Sequence, residues 1–161
     1  MRASGILLPI FSLPSPYGIG TIGNAAYEFV DFLVSAKQKH WQILPLGPTG
    51  YGDSPYQSFC SFASNSYFID LDILESKGLL LKEEYQNEPW GENPDKVDYG
   101  LLYRKRNKVL EKAFNRFDKE NLSFKAFCRD NAYWINDYAI FMSLKEHFDG
   151  KEWQSWPEDI R

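Results

Sequence analysis

Cysteine, methionine and histidine are scarce, at two each in 161 residues. Cys60 and Cys128 lie far apart and match neither metal-ligand nor redox spacing, so they read as two reduced thiols. His40 and His147 stand alone, and with so few soft ligands no metal centre is expected. Positive charge is not in excess: 18 Lys and Arg face 22 Asp and Glu, a net charge of -4. That balance argues against a nucleic-acid partner, which requires a concentrated basic surface. No apolar run approaches the length of a membrane span, and none is expected. Gly5 to Ile10 is too short and too proline-broken for a secretory signal. Repeats and low-complexity stretches are missing too, leaving an ordinary, aromatic-rich globular chain with 17% Phe, Trp and Tyr.

The hydrophobic pattern predicts an α/β organisation. Gly5-Ile6-Leu7-Leu8-Pro9-Ile10 reads as a short buried strand. Asn24 then offers an N-cap, and Ala26, Phe29, Val30, Leu33 and Ala36 recur at helical spacing to about Gln38. Trp41 to Leu46 reads as a second buried strand. Strand, helix, strand is a βαβ unit with parallel strands. The loops 11–23 and 47–67 therefore leave the same end of the sheet, where parallel α/β folds assemble their sites. Tyr67 to Leu74 is ambiguous between an extended run and a short helix ended by Gly78. Asp98 is the expected N-cap of a long helix whose face carries Tyr99, Leu102, Tyr103, Arg106, Leu110, Ala113 and Phe117. One helical segment is predicted from Ser123 to about Phe148, broken by Asp149-Gly150. The division expected is 1–82, a first barrel segment with its loops, and 83–161, a mostly helical insertion. The ending Trp153 to Arg161 has no cap or polar fade and reads as a cut.

The most informative stretch is Gly47-Pro48-Thr49-Gly50-Tyr51-Gly52-Asp53-Ser54-Pro55-Tyr56-Gln57-Ser58-Phe59. Its glycines and prolines forbid a regular helix or strand and shape a loop. Loops usually shed large aromatics into cores. One that keeps them beside a carboxylate, a hydroxyl and an amide suits a ligand with apolar faces and many hydroxyls, which describes a sugar. Residues 11–20 form a second proline- and glycine-shaped loop bearing Phe11 and Tyr17. Both loops are expected to hold aromatic rings outward at one end of the sheet.

Several blocks resemble the 4-α-glucanotransferases of the amylomaltase, or disproportionating enzyme, family. They are Ser12 to Thr21, Trp41 to Thr49, Gly52 to Ser58, Phe68 to Leu71, Val97 to Tyr103 and Trp156 to Arg161, in order along the chain. Cys60 stands where that family commonly has serine, and Ser64-Asn65-Ser66 replaces a usual Gly-Asn-Pro. The resemblance implies the amino-terminal part of a (β/α)8 TIM barrel with a largely helical inserted subdomain. It implies a cytoplasmic enzyme, without metal or organic cofactor, acting on α-1,4-glucans such as maltooligosaccharides and amylose. Such an enzyme passes glucanosyl units to another glucan or to glucose, with retention, through a glucosyl-enzyme intermediate. A barrel alone takes roughly 250 residues. The family's catalytic carboxylates lie in later strands and match no position here. No catalytic residue is assigned, and the isolated chain is expected to be inactive without the remainder of the barrel. A non-catalytic α-glucan-binding module is the alternative.

Tyr56 is the foremost substrate contact expected, because its family counterpart lies beside the sugar at the cleavage point; the competing reading folds the ring back onto the barrel. Ser54 either bonds a sugar hydroxyl or stabilises its turn. Asp53 either reaches substrate or bonds its own backbone, and Gln57 either offers a donor and an acceptor or braces the loop. Gly52 is expected to let substrate approach the backbone. By the resemblance, Tyr51 and Tyr103 contribute to a secondary glucan-binding surface, although Tyr103 on a helical face is also a packing candidate. Glu83-Glu84 and Arg104-Lys105-Arg106 read as solvated charge runs.

Overall fold

A computed structural model describes residues 2–50 and 52–161. Two short strands, β1 (Gly5–Leu7) and β2 (His40–Gln42), pair in parallel with Ile6 opposite Trp41. Between them runs α1 (Asn24–Ser35), completing the βαβ unit. The helix docks through Phe29, whose ring meets Trp41 edge-on at 4.9 Å. Trp41 in turn donates its indole N–H to the Leu8 carbonyl at 2.8 Å, locking the second strand to the first.

The strands are shorter and more exposed than predicted. The chain leaves β1 at Leu7 and turns into a 3-10 helix at Ile10–Ser12. Each strand has only one half-buried residue between two exposed ones, because a two-stranded sheet with one helix cannot cover both faces. Leu7 is 54% exposed, and Val30, expected on the buried face of α1, is exposed as well.

Asn24 is not the cap of α1. Gly23 takes that position, because its Cα lies against the Asp70 carboxylate where a Cβ would collide. The ambiguous stretch resolves into a 3-10 turn at Ser66–Phe68 and a short helix, α2 (Leu71–Ser76), capped by Asp70 accepting from the Ile73 N–H at 2.9 Å. Gly78 (φ +72) closes α2: its N–H reaches Glu75 O, and the Leu79 N–H reaches Leu74 O. Those are the paired bonds of a Schellman motif.

The long helix α3 (Tyr99–Arg116) starts on the predicted cap, Asp98, which accepts from the Leu101 N–H at 2.8 Å. It buries Leu102, Arg106, Val109 and Ala113. These meet Leu13, Tyr17 and Ile19 of the first loop, Leu71 of α2, and Leu80, Tyr85 and Trp90. The core thus centres on the first loop, with Phe29 of α1 and Trp41 of β2 packed against it.

The chain divides into two compact units, Met1–Phe117 and Asp118–Arg161. In the second, the single predicted helix is two: α4 (Leu122–Asp130) and α5 (Ala132–His147). Asn131 makes the break. Its amide donates to Phe127 O and its side-chain oxygen accepts from the Trp134 indole, and such local bonds compete with helix continuation. Asn121 caps α4. Trp156, the one buried residue of this unit, packs against Phe141 and Phe148. Among the described residues no helix is long and apolar enough to cross a membrane.

Candidate functional site

Both loops follow the carboxyl ends of β1 and β2, and their far ends are joined. The Ile22 N–H donates to Phe68 O at 2.9 Å, and the Thr21 hydroxyl donates to the Asp70 carboxylate at 2.5 Å. The loops differ in what they show to solvent. Tyr17 in the first loop is turned inward and only 8% exposed, contrary to the outward ring expected there. Its hydroxyl donates to Asp72 Oδ1 at 2.7 Å, and the Tyr85 hydroxyl donates to the same oxygen at 2.7 Å. Burial, with the Asp72 carboxylate adding, pushes the Tyr17 phenol up to about 12.

Arg106 completes this inner network. The sequence sets it both on the helical face with Leu102 and Ala113 and within the Arg104-Lys105-Arg106 run read as solvated; the structure decides for the face, and Arg106 is fully buried. Its guanidinium donates to Tyr17 O at 3.2 Å and Ile69 O at 2.6 Å, and lies over the Trp90 ring at 5.6 Å. Burial brings it down to about 10, with Asp70 and Tyr67 opposing that fall. The available signal was spacing: Arg106 is four residues after Leu102 and three before Val109, on the buried face.

The second loop is built from its own backbone. Thr49 and Ser58 form an antiparallel bridge, and the Ser58 hydroxyl donates to Cys60 O at 2.7 Å. The Asp53 N–H turns back to Gly50 O at 3.1 Å, and Gly52 has φ +91, which favours glycine. A Cβ at Gly52 would meet nothing within 4 Å, so one side of this turn is open. The Gln57 N–H closes a further turn onto Ser54 O at 3.2 Å.

On this frame Tyr56 is 72% exposed. Ser54 stabilises its turn, its Oγ accepting from the Tyr56 N–H at 3.3 Å. Asp53 makes no bond to its own backbone through its carboxylate among the described residues. It is half-buried with a left-handed backbone (φ +54), and burial raises its carboxyl above the ordinary value. The Gln57 side chain is exposed and bonds nothing among the described residues. Asp53 also lies near enough to Tyr67 and Tyr99 to add to the rise that burial imposes on both phenols. Tyr103, one turn along α3, is 60% exposed rather than packed, and its hydroxyl adds to the rise of the Tyr67 phenol. Tyr51 lies outside the described residues. No cluster of three or more His, Cys, Asp or Glu that could hold a metal occurs among the described residues.

The loop thus presents an exposed tyrosine, a carboxylate, a hydroxyl and an amide on a frame of its own backbone bonds. Known proteins resemble this chain over nearly its whole length. A 4-alpha-glucanotransferase from Clostridium butyricum is 54% identical over 153 residues, which is 94% of this chain and 31% of the relative. One from Thermus thermophilus is 47% identical over 165 residues, 99% of this chain and 32% of the relative. An amylomaltase from Streptococcus agalactiae, solved in complex with acarbose, superposes with a TM-score of 0.90 at 48% identity. That match covers 98% of this chain and 32% of the amylomaltase. The chain thus spans about a third of the length of the relatives it matches. The family model for 4-alpha-glucanotransferase matches residues 8–161, and the chain belongs to that family.

Proposed function

We propose that this chain is the amino-terminal segment of a 4-α-glucanotransferase built on a (β/α)8 barrel. The complete cytoplasmic enzyme moves α-1,4-glucanosyl units between maltooligosaccharides or amylose, with glucose among its acceptors. In this reading residues 1–82 belong to the barrel and its glucan-binding loop, and 83–161 to a helical insertion. The observation that carries it is the exposed Tyr56 ring on a loop that also bears Asp53 and is held by its own backbone bonds.

The chemistry divides between what this chain has and what it lacks. Tyr56 lies flat on a sugar face. Asp53 accepts from sugar hydroxyls, and Gln57 both donates and accepts. The Ser54 oxygen already accepts from the Tyr56 N–H, which leaves its own proton for a sugar oxygen. The open side of Gly52 lets a sugar ring reach the loop backbone. Tyr103, with Tyr51, forms a secondary glucan-binding surface. Retention requires a nucleophilic carboxylate and an acid/base carboxyl about 5–5.5 Å apart on either side of the scissile bond. Those groups come from the remainder of the barrel, the principal partner of this segment. The chemistry needs neither metal nor organic cofactor.

The alone-standing alternative, a non-catalytic α-glucan-binding module, is favoured by the fact that the Tyr56 loop is complete within the unit Met1–Phe117. One experiment separates the readings. The 161-residue chain is incubated with maltotriose, alone and co-expressed with the remaining two thirds of a 4-alpha-glucanotransferase. The segment reading expects no glucose release or longer products from the chain alone, and both when the complement is present. Transfer by the chain alone, or no gain from the complement despite a stable complex, would overturn it. Glucan binding without any complementation favours the module.

A further inference from the structure

We propose that the cleft between residues 11–20 and 90–99 is a further binding site for neutral α-glucan, separate from the Tyr56 loop and from the Tyr51–Tyr103 surface. The inference rests on the glucan reading above. The cleft encloses about 810 Å³, within the roughly 300–1,000 Å³ of small-ligand sites.

Its two walls are fixed to each other at the floor. Gly18 (φ +78) sits directly on the Trp90 backbone carbonyl, where no Cβ would fit. Trp90 is 6% exposed, and its indole N–H donates to Tyr85 O at 2.8 Å. Its ring meets Tyr17 edge-on at 6.4 Å. Pro14 and Pro16 stiffen one rim and Pro94 the other. A cleft built this way stands open before a ligand arrives, which lowers the ordering cost of binding.

The lining selects the ligand class. Phe11 and Tyr99, both half-buried, offer ring surface. The rim carries Ser12, Glu92, Asp95 and Lys96, one cation against two carboxylates. A phosphorylated or carboxylate ligand would meet net repulsion and no paired cations. A purely apolar ligand would strand the rim groups without partners. A neutral polyhydroxylated ring satisfies both, lying on the aromatic side chains while its hydroxyls donate to the carboxylates. Tyr99 lines this cleft, and Asp53 adds to the rise that burial imposes on its phenol, so the cleft lies near the loop that carries Asp53 and Tyr56. A sufficiently long glucan spans both, and affinity therefore rises with chain length.

The test is an amide-resolved NMR titration of the 161-residue chain with maltose and with maltoheptaose. Maltoheptaose is expected to shift residues 52–58 and also residues 12–20 and 91–97, and to bind more tightly than maltose. Glu92→Ala removes a rim acceptor, and Ser12→Trp fills the cleft; both positions are exposed, and an unchanged amide spectrum checks their fold. Each is expected to weaken maltoheptaose about five- to tenfold, the worth of one or two lost hydrogen bonds, and to leave maltose unchanged. Shifts confined to 52–58, or equal affinity for the two sugars, overturn the cleft and leave the loop reading standing. No shifts anywhere overturn both. Persistence of the cleft shifts in Tyr56→Ala supports a site that holds glucan by its own contacts.

Discussion

Replacing Tyr56 tests the proposed glucan contact without removing a bond that holds the loop. Its ring is 72% exposed, and the bond that shapes its turn runs from its backbone N–H to Ser54 Oγ. Tyr56→Ala keeps that backbone bond and removes only the ring. An exposed substitution of this kind changes stability by no more than about 0.5 kcal/mol. The ring stacked on a sugar face is worth about 0.5–1.5 kcal/mol, or roughly two- to twelvefold in Kd at about 1.4 kcal/mol per tenfold. Tyr56→Phe keeps the stack and removes one hydroxyl, a loss of about 0.5–1.5 kcal/mol only if that hydroxyl bonds the sugar. The expected order of affinity is wild type, then Phe, then Ala, at a common melting temperature. Isothermal titration with a maltooligosaccharide, beside thermal denaturation of each variant, reads both quantities. Alanine binding within twofold of wild type refutes the stacking role. A melting temperature lowered by several degrees shows instead that the ring packs on the protein.

Three further outcomes follow from the inner network and the surface. Arg106→Met keeps the buried volume but leaves Tyr17 O and Ile69 O without donors. At about 1–3 kcal/mol per orphaned group, urea denaturation should show a loss of roughly 2–6 kcal/mol, and unchanged stability would contradict the network. Gly18→Ala combines left-handed strain of about 1–2 kcal/mol with a collision on the Trp90 carbonyl, so its melting temperature should fall clearly below wild type. Glu84 accepts two bonds from Arg116, at 2.7 and 2.9 Å, which with the Leu81 N–H hold its carboxyl down at about 2. Because the folded value lies below the ordinary 4.5, this stabilisation is present above that value and is lost as pH falls towards 2. A melting profile across that window should drop in the wild type and flatten in Arg116→Met; parallel profiles would remove the pair from the acid response.

What could be read from the sequence was local. Asp98 before an apolar-periodic run, the strand–helix–strand order and the glycine-rich loop each depend on residues a few positions apart. The failures depended on distant neighbours. Asn24 looks like a cap until the Asp70 carboxylate, far along the chain, proves to need the space beside Gly23. Arg106 looks solvated within Arg104-Lys105-Arg106 until two carbonyls from separate loops meet it. The continuous helix expected over 123–148 fails for a nearer reason. Asn131 satisfies its side chain on Phe127 O and Trp134, and apolar periodicity carries no trace of that competition.

The inward turn of Tyr17 changes the division of labour between the two loops. An expectation of two outward-facing aromatic loops treats them as equivalent readers of sugar. With Tyr17 bonded to Asp72 and its carbonyl held by Arg106, the first loop acts instead as a buttress. Three separate contacts carry that buttress to the end of the second loop: Ile22 to Phe68, Thr21 to Asp70, and Arg106 to Ile69. All three fall within residues 68–70, just beyond the span that displays Asp53 and Tyr56. The exposed loop can keep its polar and aromatic tips in solvent because its base is fixed by elements that have turned their own aromatics inward. On the proposed glucan-binding role of the second loop, changes at Tyr17, Thr21 or Arg106 are expected to act by moving the base of that loop rather than by contacting the sugar.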